Sequence, residues 1–107
     1  MGNKERFQSA LNDLFRLFVN RIFKCGGEAK STKMTYGQIC GYVQCAEMFE
    51  HITKDQSAKL FEIVEKIEKT YWEVVDSGEE IRPPKRNKII DKLCDFAIPE
   101  IQKVLGK

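Results

Sequence analysis

The chain has 107 residues, of which 42% are hydrophobic and 32% are charged, and its formal net charge is +2. This length predicts one domain with its own core, residues 1–107, and the composition excludes a disordered or fibrous chain. The net charge alone is too small to predict nucleic-acid binding, but it is unevenly distributed. Segments 1–34 and 82–107 are basic, and segment 35–81 is acidic.

Location and cofactors are predicted from what the sequence lacks. No segment approaches the ~20 apolar residues that cross a bilayer, and no apolar run of a secretory signal follows the first basic residues. We therefore expect a cytoplasmic protein without membrane association. The cysteines Cys25, Cys40, Cys45 and Cys94 include no C-x-x-C pair, and the only histidine, His51, has no cysteine at a zinc-binding interval. We expect reduced thiols, no metal site and no cofactor.

The first helix is predicted over residues 4–24. Apolar side chains recur there at the three- and four-residue spacing of one helical face. They are Phe7, Leu11, Leu14, Phe15, Phe18 and Ile22. Gly26 and Gly27 follow, and glycine favours a helix end because it adopts the left-handed conformation readily. The polar segment 28–33 has no periodicity and is predicted to be a loop.

Two further helices are predicted from their starts. Thr35 with Gln38, and Thr53 with Gln56, have the spacing of reciprocal capping boxes. The second helix is thus predicted over 36–50 and the third over 54–76. The connection at His51–Thr53 is so short that it predicts a tight helical hairpin.

A ridge of small side chains is predicted along the second helix. Gly37, Gly41 and Cys45 recur every four residues and so share one face. Because each helical glycine costs roughly 1 kcal/mol relative to alanine, close packing against this face is expected. Two alternatives remain open at this point. The ridge packs on the first or third helix, or it packs on another chain.

The last helix is predicted over 87–105 with a kink at Pro99, because proline in a helix interior removes a hydrogen-bond donor. Pro83 and Pro84 are predicted to lie in an extended connection before it. With this helix, the expected fold is an all-α, single compact bundle of four main helices.

Three features are candidate binding sites. The ridge Gly37, Gly41 and Cys45 is the first, and Tyr42 with Trp72 is the second, because exposed aromatic side chains often anchor protein partners. The third is the densest basic cluster of the chain. It comprises Arg82, Lys85, Arg86 and Lys88. This cluster either binds phosphates or an acidic protein surface, or it is a solvated loop.

Catalysis is the least supported function class. The sequence has no Gly-rich phosphate loop, no metal signature and no serine, cysteine and histidine arrangement in a recognisable context. We therefore expect a protein that acts by binding and is not an enzyme.

The segment TYGQICGYVQCAEMFEHIT resembles stretches in small helical proteins of phages and mobile elements of Gram-positive bacteria, which are uncharacterised. It covers about a fifth of the chain. The resemblance implies an accessory factor, similar in size and character to anti-CRISPR inhibitors of host defence or to small DNA-binding regulators. It defines no activity, and no functional residue is carried over from it.

Three hypotheses follow. The first is a protein-binding module that inhibits or modulates a host protein by occupying one of its surfaces; a homodimer is an alternative use of the same surface. The second is a helix-turn-helix type regulator that binds nucleic acid through the four basic residues, although the exposed acidic residues of the third helix argue against it. The third is a helical protein that binds a small nucleotide.

Overall fold

Four α-helices make up the protein, and the computed structural model describes residues 3–106. The helices are α1 (Asn3–Cys25), α2 (Lys30–Met48), α3 (Lys54–Asp76) and α4 (Pro83–Leu105). The described range contains no strand, so the predicted all-α bundle of four helices is confirmed. No helix in that range combines the length and apolar character needed to cross a membrane.

The helices pack as an elongated bundle of 43 × 23 × 22 Å. Their connections are short, so successive helices run antiparallel. Helices α1 and α3 each contact the three other helices, whereas α2 and α4, as far as residues 3–106 show, do not contact each other. Helices α2 and α4 therefore occupy opposite corners of the bundle.

One hydrophobic core runs between the helices. α1 contributes large buried side chains, namely Leu11, Phe15, Phe18, Val19 and Ile22, and α3 contributes Leu60, Ile63, Val64 and Ile67. α2 contributes only Ile39, Val43 and Ala46. The burial of these apolar side chains is the main force that holds the bundle together, and α2 takes part in it through one narrow face.

The start of α2 differs from the prediction of a helix over 36–50. The helix begins six residues earlier, at Lys30, and Thr35 lies inside it, so the predicted cap at Thr35 is wrong. The buried positions of α2 are Thr32, Thr35, Ile39, Val43 and Ala46. Their spacing is that of one helical face throughout. Two threonines occupy positions at which this pattern predicts apolar residues, so the first turns of the helix carry no apolar signal in the sequence.

Hydrogen bonds explain why these threonines are buried in a helix. The Thr32 hydroxyl donates to the Gly26 carbonyl at 2.8 Å, and the Thr35 hydroxyl donates to the Ser31 carbonyl at 2.9 Å. Arg21 of α1 donates to the Thr35 hydroxyl at 2.7 Å. Because these partners satisfy the buried hydroxyls, the polar turn can pack against α1 without an unpaired polar group.

The α2–α3 connection forms the tight hairpin that the sequence predicts. The Thr53 hydroxyl accepts from the Gln56 backbone at 3.1 Å, and the Gln56 side chain accepts from the Thr53 backbone at 2.8 Å, so this capping box is confirmed. Before it, α2 ends with Glu50 in the left-handed region (φ 60°) and the His51 amide donating to the Ala46 carbonyl at 2.8 Å. This is the Schellman arrangement.

The start of α4 also differs from the prediction. The helix begins at Pro83 and not at 87, so the extended connection predicted around the proline pair is wrong. Proline suits the first turn of a helix because its φ is already helical and its missing amide has no partner there anyway. α4 continues through Pro99 to Leu105 as one helix. The kink at Pro99 stays a prediction.

The α1–α2 connection lies against two aromatic rings of α3. A Cβ placed on Gly27 would stand 2.9 Å from Cε2 of Tyr71 and 3.0 Å from Cζ2 of Trp72. Gly26 beside it has φ +102°, which favours glycine for a different reason. The chain therefore needs glycine at position 27 because of space, and at position 26 because of backbone conformation.

Replacing Gly27 with alanine is expected to destabilise the fold by about 1–3 kcal/mol, because the two rings must move to admit the new methyl group. Chemical denaturation of the wild type and the variant measures this difference. The matched control is Gly37→Ala in α2, where a Cβ meets nothing within 4 Å. This control should gain about 1 kcal/mol from helix propensity. Equal stability of the two variants would contradict the close approach at Gly27.

Candidate binding surface

The outward face of α2 carries the predicted ridge. Gly37, Gly41 and Cys45 are all exposed, and a Cβ added to either glycine would meet nothing within 4 Å. The alternative in which the ridge packs on another helix of this chain is therefore wrong. The glycines leave a shallow, open track along the helix, over which another backbone could approach closely.

This face is also free of charge over most of its length. No Asp, Glu, Lys or Arg occurs from Met34 to Ala46, in a chain of which 32% is charged. Two methionines extend the track at its ends, Met34 with 52% and Met48 with 75% of the side chain exposed. An exposed helix face normally carries charged residues, so this one differs from a purely solvated surface.

Charges of opposite sign flank the uncharged segment. Lys30 and Lys33 precede it, and Glu47 and Glu50 follow it. Lys33 forms an ion pair with Glu28 at 3.0 Å, and both side chains are largely exposed. The face thus has a basic end, an uncharged middle and an acidic end. We call the exposed residues Met34, Gly37, Gly41, Cys45 and Met48 the α2 face.

Tyr42 lies at the edge of the α2 face and contacts α1. Its ring stacks on that of Phe7, with the ring centroids 5.0 Å apart and the planes at 6°. The side chain remains 37% exposed. Tyr42 is therefore held in place by an offset aromatic contact while one side of the ring faces solvent.

A cavity of about 610 Å³ opens beside Tyr42, where α1 begins and α2 and α4 end. Its most buried lining residues are Ala46, Ile52 and Leu105. The stacked rings of Phe7 and Tyr42 form part of its wall. Its lining comes from the start of α1, the end of α2, the start of α3 and the end of α4.

The mouth of the cavity carries the more exposed lining residues. Phe49 is 66% exposed, and Lys4, Cys45 and His51 are exposed as well. Gln56 also lines the cavity, but its amide nitrogen donates to the Val104 carbonyl at 3.0 Å and its oxygen belongs to the capping box. Lys4 and His51 are the only ionisable nitrogen groups in the lining, and the lining includes no carboxylate of residues 3–106.

Trp72 lies at the opposite end of the bundle and does not join this surface. Its ring meets Tyr71 edge to face at 5.0 Å and covers Gly27, and 40% of the side chain is exposed. A smaller cavity of about 170 Å³ there is lined by Trp72, Tyr36 and Glu68 among others. The structure thus separates the predicted pair, with Tyr42 on the α2 face and Trp72 beside the α1–α2 connection.

The predicted basic cluster lies at the start of α4. Arg82 precedes the helix, and Lys85 forms an ion pair with Glu79. Arg86 is half-buried, with its Nε buried and without a hydrogen-bond partner among the described residues. Residues three or four apart are neighbours on a helix, so Lys88 lies beside Lys85 and on a different side of the helix from Arg86. The use of these four residues as one binding patch stays a prediction.

No metal site is formed within residues 3–106, since no three His, Cys, Asp or Glu side chains there come together. All four cysteines are free. Residues outside the predicted candidate sites also take part: Met34 and Met48 belong to the α2 face, and Phe7, Phe49 and His51 line the cavity beside it. The predicted topology is sufficient to place these cavity residues, because the start of α1 and the end of α2 lie at the same end of the bundle, next to the hairpin.

Comparisons with known proteins give no further constraint: no family model, no curated protein and no solved structure matches the chain.

Glu68 provides a test of the geometry at the Trp72 end. Its partial burial raises the pKa of its carboxyl group, and the nearby Glu65 carboxylate adds to this. Since a raised pKa means that ionisation opposes folding, Glu68→Gln should raise the melting temperature at neutral pH. The difference from the wild type should shrink as the pH falls through the raised folded-state pKa and vanish below the usual range of a glutamate. A difference that is independent of pH would contradict this assignment.

Proposed function

We propose that the chain is a non-enzymatic protein-binding module that inhibits or modulates a larger partner by occupying one of its surfaces. The segment that resembles phage and mobile-element proteins contains most of the α2 face, so the proposal includes an accessory protein of that origin acting on a host defence protein in the cytoplasm. The observation that carries the proposal is the exposed, uncharged α2 face with its two glycines.

The two glycines of the α2 face lower the stability of the helix. A glycine within a helix costs roughly 1 kcal/mol relative to alanine, and neither Gly37 nor Gly41 serves a contact within the described chain. Exposed methionines add flexible apolar area, which adapts to different partner shapes. A partner helix lying over the two glycines could approach to the short end of the usual 8–10 Å range between helix axes.

The charges at the two ends of α2 indicate the kind of partner. Lys30 at one end and Glu47 and Glu50 at the other would meet opposite charges on a complementary surface. The occupant that fits best is an uncharged helix of the partner protein with acidic residues at one end and basic residues at the other. Such charges would set the direction in which the two helices run.

The nucleic-acid alternative has less support. Glu62, Glu65 and Glu73 are exposed on α3, where they would repel phosphates from the helix that a helix-turn-helix protein inserts into DNA. Among the basic residues at the start of α4, Lys85 is already paired with Glu79, and Arg86 is half-buried. The small-nucleotide alternative needs several free donors for phosphate groups, and Gln56, which could supply one, is engaged twice.

The decisive variant is Gly41→Arg, which places a charge in the middle of the α2 face. Because position 41 is open, we expect the variant to fold with unchanged or higher thermal stability. Binding to a partner should weaken by at least about tenfold, since an unpaired charge would be buried at the interface. The measurement is affinity toward a panel of purified host nucleases and defence proteins.

Ala58→Arg is the matched control, because Ala58 is exposed on α3 outside the α2 face. It should bind the partner like the wild type. Equal loss in both variants would contradict the proposed surface.

A wild-type dimer that Gly41→Arg dissociates, without any partner in the panel, would show instead that the face pairs two copies of this chain. DNA binding that weakens steeply with salt, and less steeply after alanine replacement of the four basic residues, would favour the regulator hypothesis.

A further inference from the structure

We propose that the 610 Å³ cavity at the end of the bundle binds a single-tailed amphiphile with one anionic head group, of which a medium-chain carboxylate is the simplest example. The proposal does not rest on the protein-binding role of the α2 face, with which the cavity shares Cys45. It rests on the size of the cavity, on the burial and exposure of its apolar and polar lining residues, and on the charge of its lining.

The size and composition of the cavity suit a small ligand. Binding sites for small molecules commonly enclose roughly 300–1,000 Å³ and have mainly apolar walls with few polar groups. The floor of this cavity is apolar and buried, with Ala46, Ile52 and Leu105 each no more than 6% exposed. An aliphatic chain placed there would be removed from water, which is favourable in proportion to the area buried.

The wall and the mouth are arranged for a molecule that enters tail first. Phe7 and Tyr42 are fixed by their stacking and form a rigid aromatic side to the cavity. Phe49 is 66% exposed at the mouth, although burial of such a ring would be favourable. A bound tail would contact this ring and cover part of it, so the ligand would remove apolar surface on both sides of the contact.

The charge of the lining selects the head group. Lys4 and His51 are exposed at the mouth, and the described lining residues include no carboxylate. Of the other polar lining residues, Gln56 has both ends of its amide engaged, and Tyr42 and Cys45 add only a hydroxyl and a thiol. One anionic group can therefore find a cationic partner at the mouth, but a ligand with several phosphates would find few cationic partners there. A cationic head group would meet Lys4 and be repelled.

The test is a titration of the full chain with decanoate below its micelle concentration, followed by NMR of the methyl groups of Ala46, Ile52 and Leu105. We expect saturable binding of one molecule, with shifts confined to this end of the bundle and absent from the ring signals of Trp72. Decanol should bind more weakly than decanoate, and decylamine most weakly. Shifts throughout the chain, or no saturation, would overturn the proposal.

Two variants separate the head-group contact from the tail contact. Lys4→Glu should weaken decanoate binding about fivefold, as expected for an exposed charge, and should narrow the difference from decylamine. The matched control Lys24→Glu changes the net charge equally, in the last turn of α1 at the opposite end of the bundle, and should bind like the wild type. Equal weakening by both would show only an effect of overall charge and would overturn the assignment.

Phe49→Ala removes the exposed ring at the mouth and should weaken decanoate and decanol to the same degree, because it affects the tail. Its folding is monitored by the thermal melt, and the exposure of Phe49 predicts little change there. Unchanged binding of both ligands would contradict a bound tail at the mouth.

Discussion

Helix α2 contacts α1 and α3 but not α4 among the described residues, and this arrangement leaves one side of α2 exposed. Because α1 and α3 each contact all the other helices, the core is complete around them, and α2 needs to supply only Ile39, Val43 and Ala46. The opposite side of α2 then packs against no other helix of the described chain. The cavity lies where α2 and α4 end, between Ala46 of α2 and Leu105 of α4. The α2 face and the cavity meet at Cys45, which belongs to both.

The sequence predicts correctly those elements whose signals lie among neighbouring residues of the chain. The apolar spacing of α1 and α3, and the capping box of Thr53 and Gln56, depend on residues within one or two turns, and the structure confirms them. The start of α2 was missed because Thr32 and Thr35 are buried through hydrogen bonds to the α1 segment and its turn, which no local pattern contains. Pro83 and Pro84 are compatible with both an extended segment and a first helical turn, so the sequence left that choice to packing.

The candidate surface was predictable in part for the same reason. Helical spacing places Gly37, Gly41 and Cys45 on one side of α2, and the structure has all three exposed there. The sequence could not decide whether the glycines faced inward, because both a tight internal contact and an open track require a small residue there. Residue chemistry alone pairs Tyr42 with Trp72, but the antiparallel order of the helices puts Trp72 at the far end of the bundle.

The glycines of this chain differ in the space around them, and that space decides which of them the fold requires. Gly27 stands against two rings, so the fold itself accounts for it. Gly37 and Gly41 stand in the open, where a larger side chain would fit and would favour the helix. Folding energetics alone would therefore favour other residues at these two positions. Stability within the described chain therefore gives no reason for these two glycines, and the segment around them carries no charge from Met34 to Ala46. Both facts support the proposed use of the α2 face in a close apolar contact.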